Sequence, residues 1–114
     1  MLILFDNGTP APLRHALSGH RVVEAIEKGW DRLVNGELIA AAEQAGFDVL
    51  LTTDKNMRYQ QNLQGRKIAF IVLGNQQWPV LRNYVDRVVA AVDRATPGSY
   101  TEVEIPLKEH HAEG

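Results

Sequence analysis

Three carboxylates stand where a folded chain can use them as a set: Asp6 directly after the apolar run Leu2 to Phe5, Glu37 in the first turn of a segment with helical spacing, and Asp54 just after Phe47 to Leu51. Hard divalent cations such as Mg2+ and Mn2+ take several oxygen ligands, including carboxylates, with water completing the shell. An ion held in that way activates a water and stabilises in-line displacement at a phosphodiester. Each acid also has a plainer use. Glu37 can answer the dipole of a helix N-terminus, and Asp6 and Asp54 can serve turns or caps. Their joint placement on one rim favours the collective reading, because three independent caps need not share it.

A rival chemistry starts from LILFDNGTP, residues 2 to 10. The haloacid dehalogenase phosphatases follow a buried strand with Asp-x-Asp-Gly-Thr, whose first aspartate attacks phosphorus. Laying Asn7-Gly8-Thr9 on the last three positions puts Phe5 at the nucleophile and Asn7 at the general acid. Phenylalanine cannot attack a phosphate, and moving the frame to make Asp6 the nucleophile leaves Gly8 as the acid. The reading fails on chemistry.

The chain has no cysteine. That excludes disulfide scaffolds, thiol nucleophiles and Cys-ligated zinc or iron-sulfur sites, so a metal must be held by O or N ligands. Its 114 residues, 45% hydrophobic and 23% charged, are those of one soluble globular domain, expected over 1–107 with 108–114 as a flexible C-terminal tail. A formal net charge of -2 gives no global pull toward nucleic acid, although a local basic patch can still hold phosphates. The first apolar run stops at Asp6 and lacks a basic flank, too short for a signal peptide or a membrane span. A cytoplasmic protein with no membrane partner is the expectation.

The elements that must position the acids alternate along the chain. Met1 to Phe5 reads as a strand buried on both faces. Thr9-Pro10 starts a helix with Leu13, Ala16 and Leu17 on one face and Ser18-Gly19 as its stop. Residues 20 to 26, HRVVEAI, read as a second strand, broken at Lys28-Gly29-Trp30. Asn35 caps a helix through Ala45, with Gly46 just past its end. Phe47 to Leu51 is a third strand, Lys55 to Leu63 a short helix and Lys67 to Leu73 a fourth strand. Pro79 opens the longest helix, whose Leu81, Tyr84, Val85, Val88, Val89 and Val92 share a face. In YTEVEIP, Thr101, Val103 and Ile105 alternate with Glu102 and Glu104, the pattern of a half-exposed edge strand. This order predicts a mostly parallel sheet of about five strands with helices on both faces. In such sheets ligands bind beyond the carboxyl ends of the strands, where Asp6 and Asp54 fall.

On LILFDNGTP, NGELIAAA and above all FDVLLTTDKNMRYQQNL, the chain resembles the PIN-domain nucleases, nearest to their small stand-alone bacterial branch. The resemblance runs from Met1 to about Leu73 and more loosely through the last helix. It implies a three-layer α/β/α sandwich and metal-dependent cleavage of RNA with Mg2+ or Mn2+. The family's first-strand aspartate falls on Asp6, its helix acid on Glu37 and its third acid on Asp54; the hydroxyl residue before that acid falls on Thr52 or Thr53. Many members carry a fourth acid two residues later, where this chain has Asn56, a weaker ligand without charge. The first aspartate is often followed by glutamate, where this chain has Asn7. Three acids rather than four or five point to one-metal hydrolysis or weak activity. The resemblance also implies a toxin role beside a small antitoxin, and homodimers.

Around Asp54 the segment 52–67 carries Lys55, Arg58, Arg66 and Lys67, a phosphate grip if a metal sits beside it. Tyr59 and Gln60, with Gln61 and Asn62, can stack on or hydrogen-bond a single-stranded base, and Asn7 can orient a water. The alternative is an ordinary solvated helix with Tyr59 packed beneath it. Three readings of function remain: a metal-dependent ribonuclease using Asp6, Glu37 and Asp54, with Asn7, Thr53, Lys55, Arg58, Tyr59 and Gln60 on the substrate; a PIN-like module of little or no activity that binds RNA or a partner protein; and a structural or interaction protein whose three carboxylates point apart and only cap turns.

Overall fold

The computed structural model describes residues 1–55 and 66–107. Five strands form one sheet: β1 (Leu2–Phe5), β2 (Arg21–Glu24), β3 (Val49–Thr52), β4 (Ala69–Leu73) and β5 (Tyr100–Val103). All four pairings are parallel, in the order β2-β1-β3-β4-β5. The continuous apolar runs supply the middle of the sheet, where β3 and β4 are buried along their whole length. That is the composition expected of strands covered on both faces.

Pleating sends alternate residues to opposite faces, and two separate cores result. Ile3, Phe5, Val49, Leu51, Ile71 and Val103 pack with Leu13 and Leu17 of a 3-10 helix (Ala11–Leu17) and with the C-terminal helices. Leu4, Leu50 and Phe70 pack on the other side with Leu38, Ile39 and Ala42 of α1 (Asn35–Gln44). Helices on both faces of a parallel sheet make the molecule a three-layer α/β sandwich, as its alternation of elements predicts. At the edge, Val103 and Ile105 are buried while Glu102 and Glu104 are exposed, following the expected alternation. The C-terminus of α1 also follows the sequence: Gly46 adopts φ 84°, and the N–H groups of Gly46 and Phe47 bind the carbonyls of Glu43 and Ala42.

Several elements depart from expectation: the first helix is 3-10 (Ala11–Leu17), α1 begins at Asn35 with Val34 as its N-cap, and β5 ends at Val103 before Ile105. The second strand stops at Glu24, and Ala25–Lys28 is a 3-10 helix. There the Glu27 carboxylate accepts the Glu24 N–H at 2.7 Å, turning the chain out of the sheet. The long C-terminal helix is divided into α2 (Trp78–Leu81), a 3-10 turn (Arg82–Tyr84) and α3 (Val85–Arg94). The Asn83 side chain donates to the Pro79 carbonyl at 3.3 Å, a local bond that competes with the helical backbone, and Tyr84 at φ -126° leaves the helical region. From Asn56 on, the helix expected to Leu63 lies outside the described residues, as does the tail 108–114. Among the described residues no helix is long and apolar enough to cross a membrane.

Candidate active site

The chain leaves β1 for β2 on one side, then crosses back to lay β3 on the other side of β1. The reversal makes the carboxyl ends of β1 and β3 the switch point of the sheet, the place where open parallel sheets bind ligands. Asp6 and Asp54 follow those two strands.

The sheet ladder runs one residue past β1, since the Asp6 N–H donates to the Leu51 carbonyl at 3.0 Å. That sets the half-buried Asp6 beside Thr52, the fully buried last residue of β3. The Thr52 hydroxyl donates to Asp6 Oδ2 at 2.8 Å and accepts the Asp54 N–H at 3.0 Å. One buried side chain thereby fixes both acid-bearing turns. The second Asp6 oxygen, Oδ1, accepts the N–H of Asn7 at 2.7 Å. Both donors are neutral and each takes one oxygen, which leaves further lone pairs on the carboxylate.

Gly8 explains how the neighbouring loops approach. A Cβ there would lie 2.6 Å from Thr53 Oγ1 and 3.2 Å from Gln76 Oε1, so a side chain would displace the Thr53 and Gln76 side chains. The third acid is not drawn in. Glu37 is exposed and its Oε1 reaches back to the Val34 N–H at 3.4 Å, the ordinary work of an acid in the first turn of a helix. No three of the His, Asp and Glu side chains among the described residues gather as a group able to hold a metal. Among the described residues Asp6, Glu37 and Asp54 do not form one metal-holding group; Asp6 and the backbone of Asp54, which follow adjacent strands, are joined through Thr52.

The expected substrate residues divide similarly. Asn7 commits its side-chain N–H to the Asp31 carbonyl at 2.7 Å, tying the β1 turn to the loop before α1. Thr53 faces Gln76 at 3.5 Å, and Lys55 is exposed beside Asp54. Asn56, Arg58, Tyr59 and Gln60 lie outside the described residues. Arg66 is removed from the phosphate grip, because its guanidinium is hydrogen-bonded to the Glu43 carboxylate of α1. Burial alone would raise the Glu43 pKa. The Arg66 hydrogen bond and charge, with backbone hydrogen bonds from Lys67 and Ile68, outweigh burial and hold it below its ordinary value.

Thr52 and Gln76 are the residues that sequence reasoning underweights. Thr52 and Thr53 both carry a hydroxyl, and only the pleat tells which one faces Asp6. The molecule is thus a parallel three-layer α/β protein with an oriented carboxylate at its strand switch point. No protein-family model, curated protein or solved structure matches the chain.

Proposed function

We propose that this protein is a divalent-cation-dependent ribonuclease of PIN-like type, hydrolysing RNA phosphodiesters at the β1/β3 switch point. The observation that supports it most is the Asp6 carboxylate, half-buried, oriented by Thr52 and Asn7, and paired with no cation among the described residues. A charge kept in that state suits a metal or another external cation. The donor set fits a hard ion: Asp6 and Asp54 would hold it, since Mg2+ commonly takes one or two carboxylates and completes its shell with water and substrate phosphate. Bound there, Mg2+ or Mn2+ would supply a water activated for attack and neutralise charge at the phosphodiester.

The chain's own residues do the positioning. Thr52 holds Asp6 in one rotamer and keeps the Asp54 turn in register with it. The amide oxygen of Asn7, its N–H already spent on Asp31, is available to orient a water. Lys55, next to Asp54, supplies positive charge for a substrate phosphate. The resemblance of LILFDNGTP and FDVLLTTDKNMRYQQNL to PIN nucleases supports the reaction class and RNA as substrate.

The test is cleavage of a mixed single-stranded RNA pool in EDTA, Mg2+ or Mn2+, comparing wild type with Asp54→Asn. Cutting that needs metal and is lost in the variant is expected. Equal cutting by both proteins would overturn the assignment. The separation of Glu37 from the other acids favours a second reading, an RNA-binding module without turnover, which predicts retention of RNA with no cutting in any metal.

A further inference from the structure

On the outer half of the same rim a cavity of about 460 Å3 opens between the ends of β4 and β5 and α3. Its shape follows from Gly74: a Cβ there would stand 2.9 Å from the Ile105 nitrogen and 3.2 Å from its oxygen, so only glycine lets the chain after β5 close against the end of β4. The Gly74 N–H donates to the Val103 carbonyl at 3.0 Å, and Asn75 pins the Pro106 carbonyl at 2.8 Å. Val72, Val103 and Ile105 give the cavity an apolar lining, while Glu102 and Glu104 bring carboxylates to it.

Two cations also line it. Arg87 donates to the Glu104 carbonyl at 2.7 Å and lies 4.7 Å over the Tyr84 ring, which orients its guanidinium without neutralising it. Lys55 has no ion-pair partner among the described residues, and it connects the cavity to Asp54, its neighbour in sequence. The volume lies in the range of small-ligand sites. Apolar walls, acceptors for N–H groups and cations with no ion pair among the described residues are together what a nucleotide requires.

We propose that this cavity is a nucleotide subsite holding one base of single-stranded RNA: the ring lies on the apolar lining, the Glu104 carboxylate accepts N–H groups from the base edge, and Lys55 and Arg87 face its phosphate. The inference rests on the ribonuclease reading for its place along an RNA strand, but not for the binding itself. Guanine presents adjacent N1–H and N2–H donors that a carboxylate can accept together, whereas uracil offers a single N–H, so guanine should bind more tightly.

The experiment titrates 5′-GMP and 5′-UMP into the full chain in EDTA and follows backbone amide shifts by NMR. Saturable shifts at Val72, Gly74, Val103 and Ile105 are expected, with GMP several-fold tighter than UMP. Arg87→Met should weaken both nucleotides about tenfold, the size of one charge-assisted hydrogen bond. Glu104→Gln, at an exposed position, should narrow the preference for GMP while leaving the rest of the spectrum unchanged. No saturable shift at these amides, shifts confined to the Asp6 turn, or equal affinity for the two nucleotides would overturn the subsite. With no metal present and no bond cut, an inactive chain that still binds GMP here fails the ribonuclease reading alone; a metal-dependent nuclease that binds neither nucleotide fails the subsite alone.

Discussion

Asp6 and Glu43 are both half-buried carboxylates with donors on each oxygen, yet they sit at opposite ends of the sheet in opposite electrostatic states. Glu43, near the start of β4, receives the Arg66 guanidinium on one oxygen and the Lys67 N–H on the other. A protein cation neutralises it, and its work is to clasp α1 to the chain entering β4. Asp6, past the end of β1, receives a hydroxyl and a backbone N–H. Its geometry is fixed, and no cation among the described residues pairs with it. A carboxylate meets the demands of folding when it is paired, and it becomes a candidate for chemistry when it is oriented and left charged.

The largest effect should come from removing that charge. Asp6→Asn keeps the size of the side chain, and it should lower metal-dependent RNA cleavage by more than about a hundredfold, beyond the range typical of groups that only orient a ligand. Single-turnover cleavage at saturating Mn2+ measures it. If Asp6→Asn and Glu43→Gln lowered cleavage equally, the contrast between the two carboxylates would collapse.

Thr52→Val comes next. The change deletes the hydroxyl that joins the two acid-bearing turns and leaves the Asp54 N–H without that acceptor. A loss of roughly 1–3 kcal/mol in stability is expected, with a fall of about 10–100-fold in metal affinity or cleavage. Urea denaturation and Mn2+ titration on the same protein read the two effects. Thr53→Val, one residue on and on the other side of the pleat, should be milder in both.

Glu43→Gln should act on stability alone, by about 1 kcal/mol at neutral pH, because the partly exposed pair is screened by solvent. Since the folded pKa of Glu43 lies below its ordinary value of 4.5, its stabilisation is complete above that value. It is lost as pH falls through the folded pKa. Wild type and variant should therefore differ in denaturation midpoint at pH 7 and converge once the pH has fallen below the folded pKa of Glu43.

These contrasts also mark what a one-dimensional reading can reach. The middle strands announced themselves because LILF, VLLT and AFIVL are apolar without alternation, which only a sheet covered on both faces explains. The edge strand was equally legible from the alternation of Val103 and Ile105 with Glu102 and Glu104. HRVVEAI was read too long because its apolar residues continue past Glu24 while a single Glu27 carboxylate turns the backbone away. For the site, Asp6 and Asp54 were found by their places after strands. The bond from Thr52 to Asp6 spans 46 positions and depends on strand register, and the Arg66 pairing with Glu43 spans 23. Neither leaves a local pattern, so Thr52 was underweighted and Arg66 was assigned to a phosphate it does not face.

The smallest effect is the most discriminating. Glu37→Gln retains an oxygen for the Val34 N–H and removes only the negative charge at the start of α1, so a loss of about 0.3–1 kcal/mol in stability is expected. Cleavage and Mn2+ affinity should stay within about twofold of wild type, since Glu37 is exposed and reaches back to its own helix start rather than to Asp6. A fall in cleavage as large as that of Asp6→Asn would mean that Glu37 acts on the cation after all, through water or after a shift of the α1 start when RNA binds. The two-acid site would then give way to the three-acid one that the family resemblance implies.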